Sequence, residues 1–162
     1  MLGYSLSAIA PTSKDSHVRQ NMLGAASTGL TAMINPDRLL SGLNVVTVFS
    51  LARLVHQYDT ATDGSVNTEY STRQTLSLSY DWPSGFTLVG VFTHGNAMTY
   101  QNNIRESFEH YEEVEYQISK TFGVALGHSN AGSILKANGV DSNVALVDDN
   151  TSMVYASLTV VF

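Results

Sequence analysis

The sequence has no cysteine, and only 14% of its 162 residues are charged. Without cysteine there are no disulfides, no thiolate nucleophiles and no Cys-type zinc sites. The charge fraction falls well short of the ~25% usual for soluble domains. No apolar run approaches the ~18 residues of a membrane helix. No Lys/Arg cluster or basic stripe exists. The net charge is -6 and the pI about 5.1, so nucleic acid is not an expected partner. The first residues, Met-Leu-Gly-Tyr-Ser-Leu, carry neither the charged n-region nor the apolar h-region of a signal peptide. The chain therefore reads as a mature form, with Met1 as an added start. Mean hydropathy is -0.01. Few charges, many hydroxyl side chains and no long apolar run fit a chain in which polar and apolar residues alternate.

That alternation is plainest at the end. Counting back from Phe162 in twos gives Val160, Leu158, Ala156 and Val154, while Val161, Thr159, Ser157 and Tyr155 fall between. Period two is the strand period, because successive side chains point to opposite faces of a sheet. An open apolar edge invites aggregation in water. A closed membrane barrel accommodates such a strand, with lipid on one side and a polar lumen on the other. The segment, through Phe162, Val160, Leu158 and Tyr155, resembles the terminal strand of bacterial outer-membrane β-barrels. The resemblance implies an assembly signal read by the barrel-assembly machinery.

Taken in order, Leu2, Tyr4, Leu6 and Ala8 alternate with Gly3, Ser5 and Ser7, and Pro11 ends the strand. Residues 11–20 are a polar loop. Residues 22–34 read as a strand rich in small side chains, and Asn35-Pro36-Asp37 as a turn. Residues 41–56 are open to an amphipathic helix. The cluster Val45, Val46, Thr47, Val48 and Phe49 favours a strand. Residues 58–67 are loop. In 68–82, Leu76, Leu78, Tyr80 and Trp82 oppose Arg73, Thr75, Ser77, Ser79 and Asp81. Pro83-Ser84-Gly85 turns the chain into 86–97, which begins with Phe86. After an Asn-rich loop at 98–104 come strands over 105–119 and from Phe122, separated by Lys120-Thr121. The longest connection, 129–150, is rich in Asn, Asp and Gly.

The chain thus reads as one all-β domain, 1–162, forming an antiparallel up-and-down transmembrane β-barrel of eight strands. Eight is the smallest size such barrels take. Short and long connections alternate, as periplasmic turns and external loops do. By pattern the whole chain resembles small OmpA/OmpX-type barrels, and an excised part of a larger barrel stays open as an alternative. Tyr80, Trp82, Phe86 and Phe122 are expected to form an interfacial aromatic girdle. By alternation Arg73, Asp81, Glu113 and Glu115 face the lumen. Buried charges must pair, so Arg73 is expected to pair with Glu113 or Glu115. Closure requires residues 154–160 to pair antiparallel with residues 2–8.

The resemblance places the protein in the bacterial outer membrane, with the lipid bilayer as partner. The expected role is structural, or surface interaction with an external ligand or partner at loop 129–150. A pore is the alternative. A third reading is a lipid-modifying enzyme, in which His128-Ser129 with Glu109 or Glu112 would supply the chemistry. Adjacent residues on a strand face oppositely, so His128 cannot activate Ser129 directly. His56 and His94 read as interfacial. No His pair has metal-ligand spacing. No catalytic residue, metal or cofactor is expected.

Overall fold

A computed structural model describes residues 1–34 and 40–160. They form eight strands: β1 (Leu2–Ile9), β2 (Met22–Ile34), β3 (Leu43–His56), β4 (Thr68–Asp81), β5 (Phe86–Thr99), β6 (Ile104–Gln117), β7 (Phe122–Ser133) and β8 (Met153–Val160). All join one antiparallel sheet in the order β1 to β8, so each strand lies beside its neighbours in sequence. The expected up-and-down order is what forms. Residues 41–56 resolve to strand, because their β-branched cluster fits the pleated surface between β2 and β4. The turn expected at Asn35-Pro36-Asp37 and the terminal Phe162 lie outside the described residues. One short helical turn, a π-turn at Asp15–Arg19, interrupts the first loop and carries an Arg19–Asp15 ion pair at 3.1 Å. No helix among the described residues is long and apolar enough to cross a membrane.

The register sorts the side chains into two faces. On one face Leu78 stands opposite Val45 and Gly90, Leu76 opposite Thr47 and Phe92, and Val114 opposite Leu88 and Leu126. Val124 and Leu158 extend this face to β8, and Leu30 and Tyr4 extend it from Phe49 to β1. On the other face lie Ser50, Arg73 and Gly95, with Thr75 and Thr93 sharing a hydroxyl hydrogen bond at 3.0 Å.

The apolar face is the exposed one. Leu76, Leu78, Leu88, Phe92, Val114, Leu126 and Leu158 are all open, and Met22 and Phe108 alone form the buried apolar set among the described residues. The accessible surface is 11008 Å², against about 7,900 Å² for a water-soluble monomer of this mass. The sheet leaves its large apolar side chains uncovered, gathered on one face.

The two ends of the sheet are built differently. At the turn end, the connections 82–85 and 118–121 are tight. Trp82 packs edge-to-face on Tyr80 at 4.5 Å, and Phe86 stacks on Tyr116 at 4.4 Å. Phe122 opens β7 at the same end, in register with Val160. The girdle residues thus gather at one level, joined by Tyr116. At the loop end, three loops knit around Asn67, which is 5% exposed. Its amide donates to the carbonyls of Gln20 (2.9 Å) and Tyr58 (3.0 Å). Tyr100 donates its hydroxyl to Leu54 O at 3.1 Å and accepts from the His56 amide. Changing Asn67 to Ala strips both carbonyls of their donor and is expected to cost about 1–3 kcal/mol. Faster cleavage of the 10–21 and 57–67 loops in limited proteolysis checks it.

The expected seam does not form: β8 pairs with β7 only, and β1 with β2 only. Closing a sheet requires strand tilt and stagger that bring both edges into register. The described parts of β1 and β8 do not meet that requirement.

Candidate functional site

The polar face does not hold the expected ion pair. Arg73 is exposed, and no carboxylate among the described residues lies within salt-bridge distance of it. The register explains this. Glu113 shares its row with Val89 and Ser79, six positions along β4 from Arg73, or about 20 Å at the strand rise. Glu115 shares its row with Thr87 and Asp81, further still. Asp81 is instead held by neutral donors, Thr87 Oγ1 at 2.7 Å and Asn44 Nδ2 at 3.3 Å. Asp81, Glu113 and Glu115 thus gather toward the turn end. Arg73 lines a separate cavity of about 390 Å³ with Thr93, Ser107, Phe108 and Glu109. Tyr155, from the terminal strand, lies on this face over Gly127. A Cβ at Gly127 would sit 2.3 Å from the Tyr155 ring, so glycine there makes room for the aromatic.

The other face holds a cluster that the sequence alone did not reveal. On β6 and β7 the apolar belt is interrupted by His110, Glu112, His128 and Asn130. Glu112 stands opposite His128, and His110 opposite Asn130. Glu112 bridges the two rings: Oε1 lies 2.9 Å from His110 Nδ1 and Oε2 lies 3.2 Å from His128 Nδ1. Of the two carboxylates considered beside His128, the register selects Glu112 and sends Glu109 to the opposite face. Ser129 also faces away, as strand geometry requires.

The connection between β7 and β8 folds back over this patch. Its Ala145 carbonyl accepts from His110 Nε2 at 3.0 Å and from Asn130 Nδ2 at 2.7 Å. Thr151 donates to Asn130 Oδ1 at 2.6 Å. His110 and Asn130 are thereby buried, at 4% and 2% exposure. Leu146 and Val147 remain exposed on the loop. The segment so covers a polar break in the belt while presenting apolar side chains outward. A cavity of about 320 Å³ lies under its edge, lined by Leu76, Leu78, Phe92, His110, Glu112 and Leu146, among others.

The cluster has a signal in the sequence, though a long-range one. Residues equidistant from the turn at Lys120 face each other across β6 and β7, and Glu112 and His128 are such a pair. Spacing along the chain does not show it. The other histidines stand apart. His94 lies 3.9 Å from Glu106, and His56 packs edge-on against Tyr100 at 5.8 Å. Compared with protein-family models, with curated proteins and with solved structures, the chain matches none.

Proposed function

We propose that this chain forms the wall of an integral outer-membrane β-barrel of a Gram-negative bacterium, acting through its external loops and without catalysis of its own. One observation carries the reading: eight antiparallel strands gather large exposed apolar side chains on one face, while the other is mostly polar or small, with Val46, Val48, Val89 and Val91 set among its hydroxyl residues. Lipid is the solvent such a belt fits. A lipocalin-like barrel has the opposite arrangement, with its apolar residues inside. The aromatic cluster of Tyr80, Trp82, Phe86 and Tyr116 supports an interface at the turn end, where rings with one polar tip are favoured. The connection expected over 129–150 spans 134–152, because β7 runs on to Ser133, and this longest connection among the described residues would serve as the surface for an external partner. Extraction tests the reading. The protein should need detergent, refold into lipid vesicles and show heat-dependent gel mobility. A chain that is monodisperse without detergent overturns it.

A second reading, a porin-like pore, draws support from two features. The edges β1 and β8 are unpaired, which suits a wall that belongs to a wider barrel. Arg73 makes no ion pair among the described residues and lines a cavity on the polar face with Glu109, where charged side chains tune selectivity in a channel. Steady single-channel conductance in planar bilayers favours the pore, and its absence favours the surface role.

A further inference from the structure

We propose that His110, Glu112 and His128 form a binding site for one zinc-class divalent ion on the outer wall of the sheet, beneath the 134–152 segment. The three residues each offer a ligand atom, and these atoms lie within 4.8 Å of one another. The Ala145 carbonyl can only accept a hydrogen bond, so it fixes the proton of His110 on Nε2. His110 Nδ1 then faces Glu112 Oε1 at 2.9 Å. A proton on Nδ1 satisfies that contact when no metal is bound, and a divalent ion would take its place. On the other side, Glu112 Oε2 lies 3.2 Å from His128 Nδ1. The two contacts run to different carboxylate oxygens, so the set, spread over up to 4.8 Å, would draw together toward the ~3.3 Å between ligands of a tetrahedral zinc.

The surroundings fit the same reading. Metal-bound histidines ordinarily donate their other ring nitrogen to a carbonyl or carboxylate, which fixes the ring. Ala145 does this for His110. His128 is held through Nδ1 by Glu112, while its Nε2 is buried without a partner among the described residues, so only His110 has that outer support. Anchoring the loop accounts for His110 and Asn130. It calls on Glu112 only as the partner of His110 Nδ1 and does not call on His128, which does not touch the Ala145 carbonyl. A two-His, one-carboxylate set leaves one position of a tetrahedral ion open. His110 and Glu112 also line the 320 Å³ apolar cavity, so a fourth ligand reaches the ion from that side. The bound ion ties β6 and β7 together and, through His110, holds the loop against the wall.

The test uses the full chain folded in detergent, stripped of metal and then titrated with Zn²⁺ or Co²⁺ alone. One ion per chain is expected, with the visible absorption of four-coordinate Co²⁺. His128→Gln and Glu112→Gln should each weaken binding about a hundredfold, whereas His94→Gln should leave it unchanged. Zn²⁺ should also slow proteolytic cleavage within 134–152 in the native chain and not in His128→Gln. Folding of each variant is read from its β-sheet circular dichroism against the native chain. If the folded native chain binds no stoichiometric ion, or folded His128→Gln and Glu112→Gln bind as tightly as it does, the proposal is overturned. Binding at the cluster is read independently of what surrounds the wall, so its failure leaves the membrane proposal standing.

Discussion

Replacing Leu30 by arginine is expected to destabilise the folded protein in lipid vesicles by about 2–4 kcal/mol if the apolar face meets lipid as proposed, the cost of a cation on a lipid face near the bilayer centre. Leu30 is 58% exposed and lies on the apolar face between Tyr4 and Phe49. At a site this open in a water-soluble protein, the same change stays within about 0.5 kcal/mol. The two expectations do not overlap, so urea-driven unfolding from vesicles separates them. Thr31→Arg, one residue away on the opposite face, serves as the partner measurement. It should cost far less, because that face would meet water. Equal costs at 30 and 31 would remove the two-faced reading of the sheet.

The second large effect is expected at Gly42, in the connection between β2 and β3. Its φ is 89°, a left-handed conformation that costs other residues about 1–2 kcal/mol. A Cβ there would also lie 2.3 Å from the Asp81 carbonyl oxygen, a backbone atom that cannot swing aside. The Asp81 amide donates to Gly42 O at 2.9 Å, so the two residues are locked together at the end of the β3–β4 pairing. Forced overpacking adds about 1–3 kcal/mol. Gly42→Ala should therefore cost about 3 kcal/mol. Gly64 has nearly the same φ, 84°, with nothing within 4 Å of an added Cβ. Gly64→Ala should show only the conformational part. Comparing the two by equilibrium unfolding isolates the clash, and equal costs would show that Asp81 relaxes freely.

A smaller effect concerns pH. The Ser65 hydroxyl and amide donate to Asp63 at 2.6 and 2.9 Å, and these bonds hold the Asp63 carboxyl below its ordinary 3.8. A depressed carboxylate stabilises the fold above its unfolded value and loses that contribution as pH falls through the lower folded value. The β3–β4 loop should therefore keep its turn at pH 4 and loosen only below it, as amide exchange at Ser65 would report.

Much of this fold is legible in the sequence because its determinants are local. Leu76, Leu78 and Tyr80 declare a strand and its apolar face by alternation alone, and Pro83-Ser84-Gly85 declares the turn. Boundaries were less legible. The β5–β6 turn occupies 100–103 rather than 98–104, because Met98 pairs with Ile104 and extends the ladder past the Asn-rich signal. The site was not legible for a physical reason. Its parts meet through cross-strand register and through a loop that returns over the outer wall. Nothing near His110 in the sequence announces Ala145. The Arg73 pairing failed on the same ground: sharing a face does not place charges in the same row.

The unpaired seam carries a consequence for whatever completes the wall. Successive strands alternate in direction, so β8 runs opposite to β1. Any strands inserted between them, if they continue the alternation, must come in pairs. A single added strand would run parallel to one edge and meet it with a slanted ladder of a different hydrogen-bond spacing. Zero, two or eight added strands satisfy both edges, and an odd number satisfies only one. Any barrel closed from this sheet with alternating strands is therefore constrained to an even strand count by the direction of its two edges.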